Sequence, residues 1–131
     1  MSGKILIYGG SGGIGAATGR LLHSRGYSLH LVGRNESRLS AIAAELEATY
    51  TAGDVTDSGL FARVAADAGD ALDGLVYAVG TITLRPLPRL IATDFLEDFR
   101  VNALGAALAV QSALPALAKA NGNASVVLFS S

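Results

Sequence analysis

The chain has 131 residues, half of them hydrophobic, and a formal net charge of −1 at pH 7. This length fits one domain, and the balanced charge offers no basic surface for nucleic acid or for an anionic membrane. The absence of cysteine excludes disulfides and thiolate chemistry, and no apolar run is long enough for a signal peptide or a membrane span, so we expect a cytoplasmic protein.

The first predicted strand runs from Lys4 to Tyr8, a short apolar stretch typical of buried parallel β-structure. Five glycines follow between residues 9 and 15, and Gly26 ends the helix that comes next. Its predicted apolar face consists of Ile14, Ala17, Thr18, Leu21 and Leu22. Because a helix N-terminus attracts anions, we interpret the glycine turn as a phosphate site, with a purely structural turn as the alternative.

The glycines fit two spacings. Gly10, Gly12 and Gly15 match GxGxxG, whereas Gly9, Gly13 and Gly15 match GxxxGxG. No Lys-Ser or Lys-Thr pair follows the last glycine, which excludes a P-loop. The spacing alone leaves the choice between the two patterns open.

Strands and helices alternate along the rest of the chain. The further strands are predicted at residues 27–33, 48–55, 72–80 and 125–131. Asn35 is expected to cap a helix with Leu39, Ile42, Ala43 and Leu46 on its apolar side. Asp57 is expected to cap another, with Leu60, Phe61, Val64, Ala65 and Ala68 on one face, and a long helix is predicted from about Thr93 towards Lys119. This order predicts an α/β fold, a doubly wound parallel sheet of the Rossmann type that stops after its fifth strand.

The residues after the second strand bear on the choice of nucleotide. They are Gly33, Arg34 and Asn35, with no acid among them. An acid would bind the ribose 2′-hydroxyl of NAD, whereas a guanidinium pairs with the 2′-phosphate of NADP. Arg34 therefore favours NADP, and a solvated arginine without a ligand is the alternative.

Six segments together resemble the short-chain dehydrogenase/reductase family in order and spacing. They are "YGGSGGIG" at 8–15, "VGRN" at 32–35, "GDV" at 53–55, "YAVG" at 77–80, "VNALG" at 101–105 and "VVLFSS" at 126–131. The resemblance implies an NADP-dependent oxidoreductase that transfers hydride between nicotinamide and a small carbonyl or alcohol substrate. It also selects the GxxxGxG pattern, with Gly9, Gly13 and Gly15 in the family's glycine positions.

The resemblance also implies roles for individual residues. Asp54 would bind the adenine amino group, Asn102 would hold a water in a proton relay, and Ser131 would bind the substrate carbonyl. The implied cofactor contacts are Gly9, Ser11, Gly12, Gly13, Ile14, Gly15, Arg34, Asn35, Asp54, Val55, Ala78, Val79 and Gly80.

The chain departs from the family pattern in three places. Tyr8 replaces a threonine, and the usual Asn-Asn-Ala-Gly is here Tyr77, Ala78, Val79 and Gly80. The family's proton donor lies in a Tyr-x-x-x-Lys motif, but no tyrosine of this chain is followed by lysine four residues later. Residues 1–131 are therefore expected to be the NADP-binding part of a longer oxidoreductase, inactive alone. The alternatives are a catalytically silent NADP-binding or interaction module and a protein that binds another nucleotide.

Other residues receive structural interpretations. His23 and His30 have no metal-ligand partners in the sequence pattern, so we expect them to be structural or solvated and predict no metal site. The apolar positions of the long helix are expected to be core or subunit contacts: Phe95, Leu96, Phe99, Leu104 and Leu108. Small residues near Gly105 permit close helix approach, and the family pairs subunits through this helix, so we expect a homo-oligomer.

Overall fold

A computed structural model describes residues 3–129. The strands are β1 (Lys4–Tyr8), β2 (Ser28–Gly33), β3 (Thr49–Ala52), β4 (Gly74–Tyr77) and β5 (Ser125–Leu128). The helices are α1 (Gly13–Ser24), α2 (Glu36–Glu45), α3 (Leu60–Ala68), α4 (Ala92–Phe99) and α5 (Gly105–Leu117). A π-helical turn, Arg100–Leu104, joins α4 to α5, and a short 3₁₀ turn covers Leu87–Arg89.

All five strands are parallel, in the order β3-β2-β1-β4-β5. Alternate residues of β1 face opposite sides of the sheet, as the strand period requires. Ile5 and Ile7 pack in a core with Leu39 of α2, whereas Leu6 and Tyr8 pack in a second core with residues of α3 and α5. The predicted doubly wound α/β fold is confirmed. Because β2 and β4 flank β1, the strand order reverses at the end of β1, where such folds form their ligand crevice.

Two of the expected helix boundaries are confirmed. The Asn35 side chain accepts a hydrogen bond from the Arg38 N–H at 3.0 Å and so caps α2. Gly26 follows α1 with a φ of +90°, a left-handed conformation that suits glycine after a helix.

The predicted apolar face of α1 is wrong in most of its positions, although Leu22 is partly buried against the core with Leu39. Ile14 and Leu21 are 56% and 53% exposed, and the helix buries Gly15, Ala16 and Gly19 instead. Small residues face the sheet because α1 starts close to the strand backbone, and a Cβ on Gly19 would lie 3.2 Å from Leu46 Cδ1. Close approach, rather than side-chain hydrophobicity, decides which face is buried.

Asp57 does not cap α3 as expected. The helix begins at Leu60 after an N-cap glycine with no side-chain cap. The carboxylate of Asp57 instead accepts the Gly59 N–H at 3.0 Å, and its carbonyl accepts the Leu60 N–H at 3.0 Å. Asp57 therefore orders the turn that precedes the helix.

The long helix is present but interrupted. Four of its apolar side chains are exposed in the described structure, so they are not core: Phe95, Leu96, Phe99 and Leu104. Leu108 is partly buried against the α3–α5 core. The edge strand β5 is also exposed along its length, including Val126, Val127 and Leu128.

The two histidines behave as expected. His30 is fully buried and hydrogen-bonded to Thr49 and Thr51, whereas His23 lies partly exposed at 4.0 Å from Glu47. No cluster of three metal-ligating side chains occurs within residues 3–129. Over the same residues, no helix is both long and apolar enough to cross a bilayer.

Candidate nucleotide-binding site

The glycine turn after β1 is held by backbone contacts. The N–H groups of Gly9 and Gly10 both donate to the Val32 carbonyl, at 2.8 and 3.0 Å. Gly9 has a φ of +83°, and a Cβ there would lie 2.4 Å from the Ala78 carbonyl oxygen. A Cβ on Gly15 would lie 1.8 Å from the Gly9 carbonyl oxygen. The turn therefore requires glycine at both positions, which are the first and last of the GxxxGxG pattern.

The start of α1 is open on its outer side. Its N-cap residue, Gly12, supplies no side-chain cap, and a Cβ on Gly13 would meet nothing within 4 Å. The first N–H groups of a helix have no partners inside the helix and carry a partial positive charge. This turn can therefore receive a phosphate group.

A cavity of about 800 Å³ extends from the glycine turn across the carboxyl ends of the strands. Ten of the thirteen predicted cofactor contacts line it: Gly9, Ser11, Gly12, Arg34, Asn35, Asp54, Val55, Ala78, Val79 and Gly80. The other three, Gly13, Ile14 and Gly15, belong to the first turn of α1 beside the cavity and are not among its lining residues.

Eight lining residues were not among the predicted contacts and complete its walls: Tyr8, Val32, Gly33, Arg38, Gly53, Thr81, Glu97 and Val101. The sequence could have indicated two of them as lining residues, because Arg38 lies three residues after the Asn35 cap and Val101 directly precedes Asn102. Nothing in the sequence indicated Glu97 and Thr81, since their place in the cavity depends on how α4 packs against the loop after β4.

Asp54 is fixed at one wall of the cavity. Its Oδ1 atom accepts hydrogen bonds from the Thr56 N–H at 2.9 Å and from the Thr56 hydroxyl at 2.8 Å. The Thr56 N–H is the main cause that lowers the pKa of the Asp54 carboxyl, with help from the Thr56 hydroxyl and Arg34 and against the effect of burial. Asp54 is therefore ionised at neutral pH, with Oδ2 outside the Thr56 turn.

Arg34 approaches this carboxylate only loosely. Its Nη1 atom lies 3.9 Å from Asp54 Oδ2, and its side chain is 80% exposed. An ion pair so long and so exposed contributes little and is easily exchanged. Arg34 is thus available to an anion at the end of β2.

Asn102 lies in the π-helical turn, facing the loop that follows β4. Its Nδ2 group donates to the Thr81 carbonyl at 2.6 Å, and its Oδ1 atom accepts the Thr81 N–H at 2.9 Å. The amide therefore fixes the loop beside Gly80 with both of its polar groups. Ser131, the second predicted catalytic residue, lies outside the described residues.

The structure supplies a glycine cradle, an ionised carboxylate and two arginines on one cavity, a set that fits a dinucleotide bearing phosphate groups. The opening at Gly13 suits a pyrophosphate, and the Asp54 carboxylate suits an amino-group donor. These groups suit the binding of an organic anion rather than of a metal ion.

Comparison with known proteins gives a consistent result. The family model described as short chain dehydrogenase matches residues 3–131. Serine 3-dehydrogenase of Agrobacterium fabrum is 33% identical over an alignment of 128 residues that covers 93% of this chain and 51% of that protein. The chain therefore spans about half the length of the curated relatives it matches.

Solved structures match over nearly the whole chain. A short-chain type dehydrogenase/reductase from Mycobacterium ulcerans superposes with a TM-score of 0.89 at 25% identity, over 98% of this chain and 50% of that one. An alcohol dehydrogenase from the archaeon Thermococcus sibiricus, complexed with 5-hydroxy-NADP, superposes with a TM-score of 0.87 at 28% identity, over 97% of this chain and 57% of that one.

Proposed function

The chain belongs to the short-chain dehydrogenase/reductase family, and from that premise we propose that residues 1–131 are the NADP-binding part of an oxidoreductase for a carbonyl or alcohol substrate. The observation that carries this proposal is the single cavity lined by the glycine turn, Arg34 and Asp54. Because the family uses a nicotinamide cofactor, such a cofactor is the ligand expected in that cavity. Arg34 at the end of β2, with no acid among residues 33–35, favours NADP over NAD.

In this proposal the residues of the chain bind and orient the reactants. The glycine turn would hold the pyrophosphate, the Asp54 carboxylate the adenine amino group, and Ala78, Val79 and Gly80 the strand-end side of the cofactor. When bound, NADP would supply the hydride chemistry. Asn102 would order the substrate side through its contacts with Thr81, and Ser131 would donate a hydrogen bond to the substrate oxygen.

Proton transfer is the part of the reaction that this chain does not provide. It has no Tyr-x-x-x-Lys motif, and general acid catalysis is typically worth about a hundredfold to ten-thousandfold in rate. We therefore propose that the 131-residue chain binds cofactor but does not turn over substrate alone. Small carbonyl or alcohol compounds, rather than nucleic acids or membranes, would be its partners, in a cytoplasmic setting.

Self-association is a further part of the proposal. The side chains of Phe95, Leu96 and Phe99 are each more than half exposed on α4, and exposed apolar patches of this kind mark protein contacts. This α4 face supports a homo-oligomer, whereas Gly105, Ala106 and Ala109 of α5 are buried within the chain.

Calorimetric titration of the purified chain with NADPH and with NADH tests the proposed cofactor. We expect tighter binding of NADPH, and we expect Asp54→Ala to weaken both nucleotides alike, by about tenfold for one lost charge-assisted hydrogen bond. Asp70→Ala, which changes an exposed acid outside the cavity, should leave both affinities unchanged.

No binding of either nucleotide would refute the proposal, and a loss confined to NADPH in Asp54→Ala would refute the adenine role of Asp54. Turnover of ketones or aldehydes by the short chain would contradict its assigned inactivity. The silent-module alternative predicts the same binding but no turnover even when sequence after residue 131 is present.

A further inference from the structure

The segment that follows β4 runs antiparallel to α4 and the π-helical turn. Alternate residues of this segment, residues 81–85, form side-chain contacts with helical residues that lie four positions apart. The pairs are Thr81 with Asn102, Thr83 with Asp98 and Arg85 with Asp94. Two residues of extended chain span about 6.6 Å and four residues of a helix span about 6 Å, so the two spacings match. The three pairs therefore fix the register of segment 81–85 on the helix.

Asp98 holds the middle of this segment with both oxygens of its carboxylate. Its Oδ2 atom accepts the Thr83 N–H at 3.1 Å, and its Oδ1 atom accepts the Thr83 hydroxyl at 3.2 Å. The Asn102 side chain, four residues later, makes a similar double contact with the N–H and the carbonyl of Thr81. Asp98 and Asn102 thus hold neighbouring points of the same backbone.

Apolar packing and backbone hydrogen bonds contribute little to holding segment 81–85. Ile82 and Leu84 are 67% and 83% exposed, so they pack against little of the chain. Within the described residues, the backbone groups of 81–85 form no hydrogen bonds with other backbone groups. The Arg85 side chain is more than half exposed, and its 3.3 Å ion pair with Asp94 contributes little. The position of the segment therefore depends mainly on Asp98 and Asn102.

The same segment continues one wall of the cavity. Gly80 and Thr81 line the cavity directly after β4. The strand order places β4 on the opposite side of β1 from β2 and β3. A dinucleotide with its adenine beside Asp54, after β3, and its pyrophosphate at the glycine turn, after β1, would extend its nicotinamide half towards β4. That half would then lie beside Gly80 and Thr81.

We propose that Asp98 is a positioning residue for the nicotinamide half of the cofactor. By holding Thr83, it fixes the register of segment 81–85 and so the backbone of Gly80 and Thr81 at the cavity wall. Asn102 alone would hold this segment firmly at one end only. A wall that is ordered before the ligand arrives loses less conformational entropy on binding. The inference rests on the proposed binding of NADP.

Two variants of Asp98 and two nucleotides test this role in the 131-residue chain. Asp98→Ala removes both contacts with Thr83, whereas Asp98→Asn keeps an oxygen for the Thr83 N–H and an amide group for its hydroxyl. NADPH carries the nicotinamide half, and adenosine 2′,5′-bisphosphate lacks it. Calorimetry measures both affinities, and amide hydrogen exchange without nucleotide reports on segment 81–85. The matched control is Arg85→Leu, which removes the ion pair with Asp94 at the far end of the segment.

We expect Asp98→Ala to weaken NADPH by about fivefold while the affinity for the bisphosphate is unchanged. Amide exchange should accelerate by about threefold to tenfold at Thr83, which loses its acceptor, and also at Thr81, which keeps its contact with Asn102. Asp98→Asn should restore both the NADPH affinity and the slow exchange. Arg85→Leu should behave as the wild type, because an exposed ion pair contributes little.

The outcomes separate this inference from the proposed function. If the wild type binds neither nucleotide, the proposed NADP binding fails, and the role of Asp98 fails with it. If the wild type binds both and Asp98→Ala leaves the NADPH affinity unchanged, only the role of Asp98 is refuted. Equal weakening of both nucleotides would also refute it, because Asp98 would then support the fold as a whole. Faster exchange confined to Thr83 would refute it as well, since the contact would not order the cavity wall.

Discussion

Gly13 and Gly15 lie two residues apart in α1, but their surroundings differ greatly. A Cβ on Gly15 would lie 1.8 Å from the Gly9 carbonyl oxygen, which is backbone and cannot rotate away. A Cβ on Gly13 would meet nothing within 4 Å. Gly13 therefore leaves the turn open to a ligand, whereas Gly15 allows the turn to pack closely.

This difference predicts opposite effects for the same substitution. Gly15→Ala should lower the free energy of unfolding by about 3 kcal/mol or more, because the turn must distort to admit the methyl group. Gly13→Ala should leave stability unchanged or raise it by up to about 1 kcal/mol, since alanine favours helix over glycine. It should nevertheless weaken NADPH by about tenfold, because the methyl group occupies the proposed pyrophosphate space.

Urea unfolding and calorimetric titration of the two variants measure these effects. A Gly13→Ala chain with normal stability and normal NADPH affinity would contradict the proposed site of the pyrophosphate. A stable Gly15→Ala chain would contradict the described turn.

At the scale of elements, the π-helical turn between α4 and α5 depends on β4. In this turn the Gly105 N–H donates to the Arg100 carbonyl, five residues back, so the Val101 carbonyl loses its usual helical partner. The Tyr77 hydroxyl donates to Val101 O instead. A Cβ on Gly105 would lie 2.2 Å from the Tyr77 hydroxyl oxygen, so glycine is needed for this approach.

Tyr77→Phe should therefore loosen the turn. It leaves the Val101 carbonyl without its donor in a partly buried place, which costs about 1 to 3 kcal/mol of unfolding free energy. Because Asn102 lies in the same turn and holds Thr81, we expect faster amide hydrogen exchange both at residues 100–105 and at Thr81.

Tyr27→Phe, at a half-buried tyrosine distant from the turn, is the matched control and should leave exchange at these residues unchanged. Unaltered exchange at Thr81 in Tyr77→Phe would show that Asn102 is held independently of β4.

At the scale of the whole molecule, a chain of polar side chains, buried at His30 and Thr51, joins β2, β3 and α3. The Thr51 hydroxyl donates to Asp67 at 2.7 Å, so its oxygen accepts from His30 Nε2 at 2.8 Å. His30 Nδ1, 2.6 Å from the Thr49 hydroxyl, is then the acceptor on the other side of the ring. The neutral imidazole satisfies every contact, and a proton added at Nδ1 would require the Thr49 hydroxyl to rotate and accept the hydrogen bond instead.

Burial lowers the pKa of His30 from its ordinary 6.5 to about 4, with a smaller contribution from Lys4 and an opposing one from Asp67. Between these two values the unfolded chain binds a proton that the folded chain does not, so stability must fall as the pH drops through this window. The expected loss is about 3 kcal/mol. Urea unfolding between pH 7 and pH 4 measures it.

The slope of the unfolding free energy against pH, rather than the unfolding free energy itself, identifies His30 as the titrating group. His30→Gln should flatten the slope in this window even though it weakens the hydrogen-bonded chain, whereas His23→Gln, at a partly exposed histidine, should retain it. A wild-type slope in His30→Gln would assign the acid sensitivity to other groups.

The sequence sufficed for features that depend on local pattern. The apolar run Lys4–Tyr8 and the Asn35 cap are set by neighbouring residues, so strand alternation and helix capping predicted them. The glycine cluster and Arg34 likewise pointed to one edge of the sheet, because parallel strands bring their carboxyl ends together.

Features that depend on distant packing were not predictable. Hydrophobicity favoured Ile14 and Leu21 for the buried face of α1, but the approach of that helix to the sheet admitted only Gly15 and its small neighbours. The π-helical turn needs Tyr77, a residue more than twenty positions earlier. The place of Arg38 in the cavity likewise required the orientation of α2.

The strand order also determines the order in which the walls of the cavity form during synthesis of the chain. The Gly9, Arg34 and Asp54 side of the cavity comes from the first part of the chain to be synthesised, but its other wall is made of Ala78 to Thr81 and Val101. Strand β1 cannot pair with β4 until residues 9–73 have been made, and such distant pairings form slowly. A nascent chain therefore builds half of the cavity early and completes it only when β4 and the π-helical turn have left the ribosome.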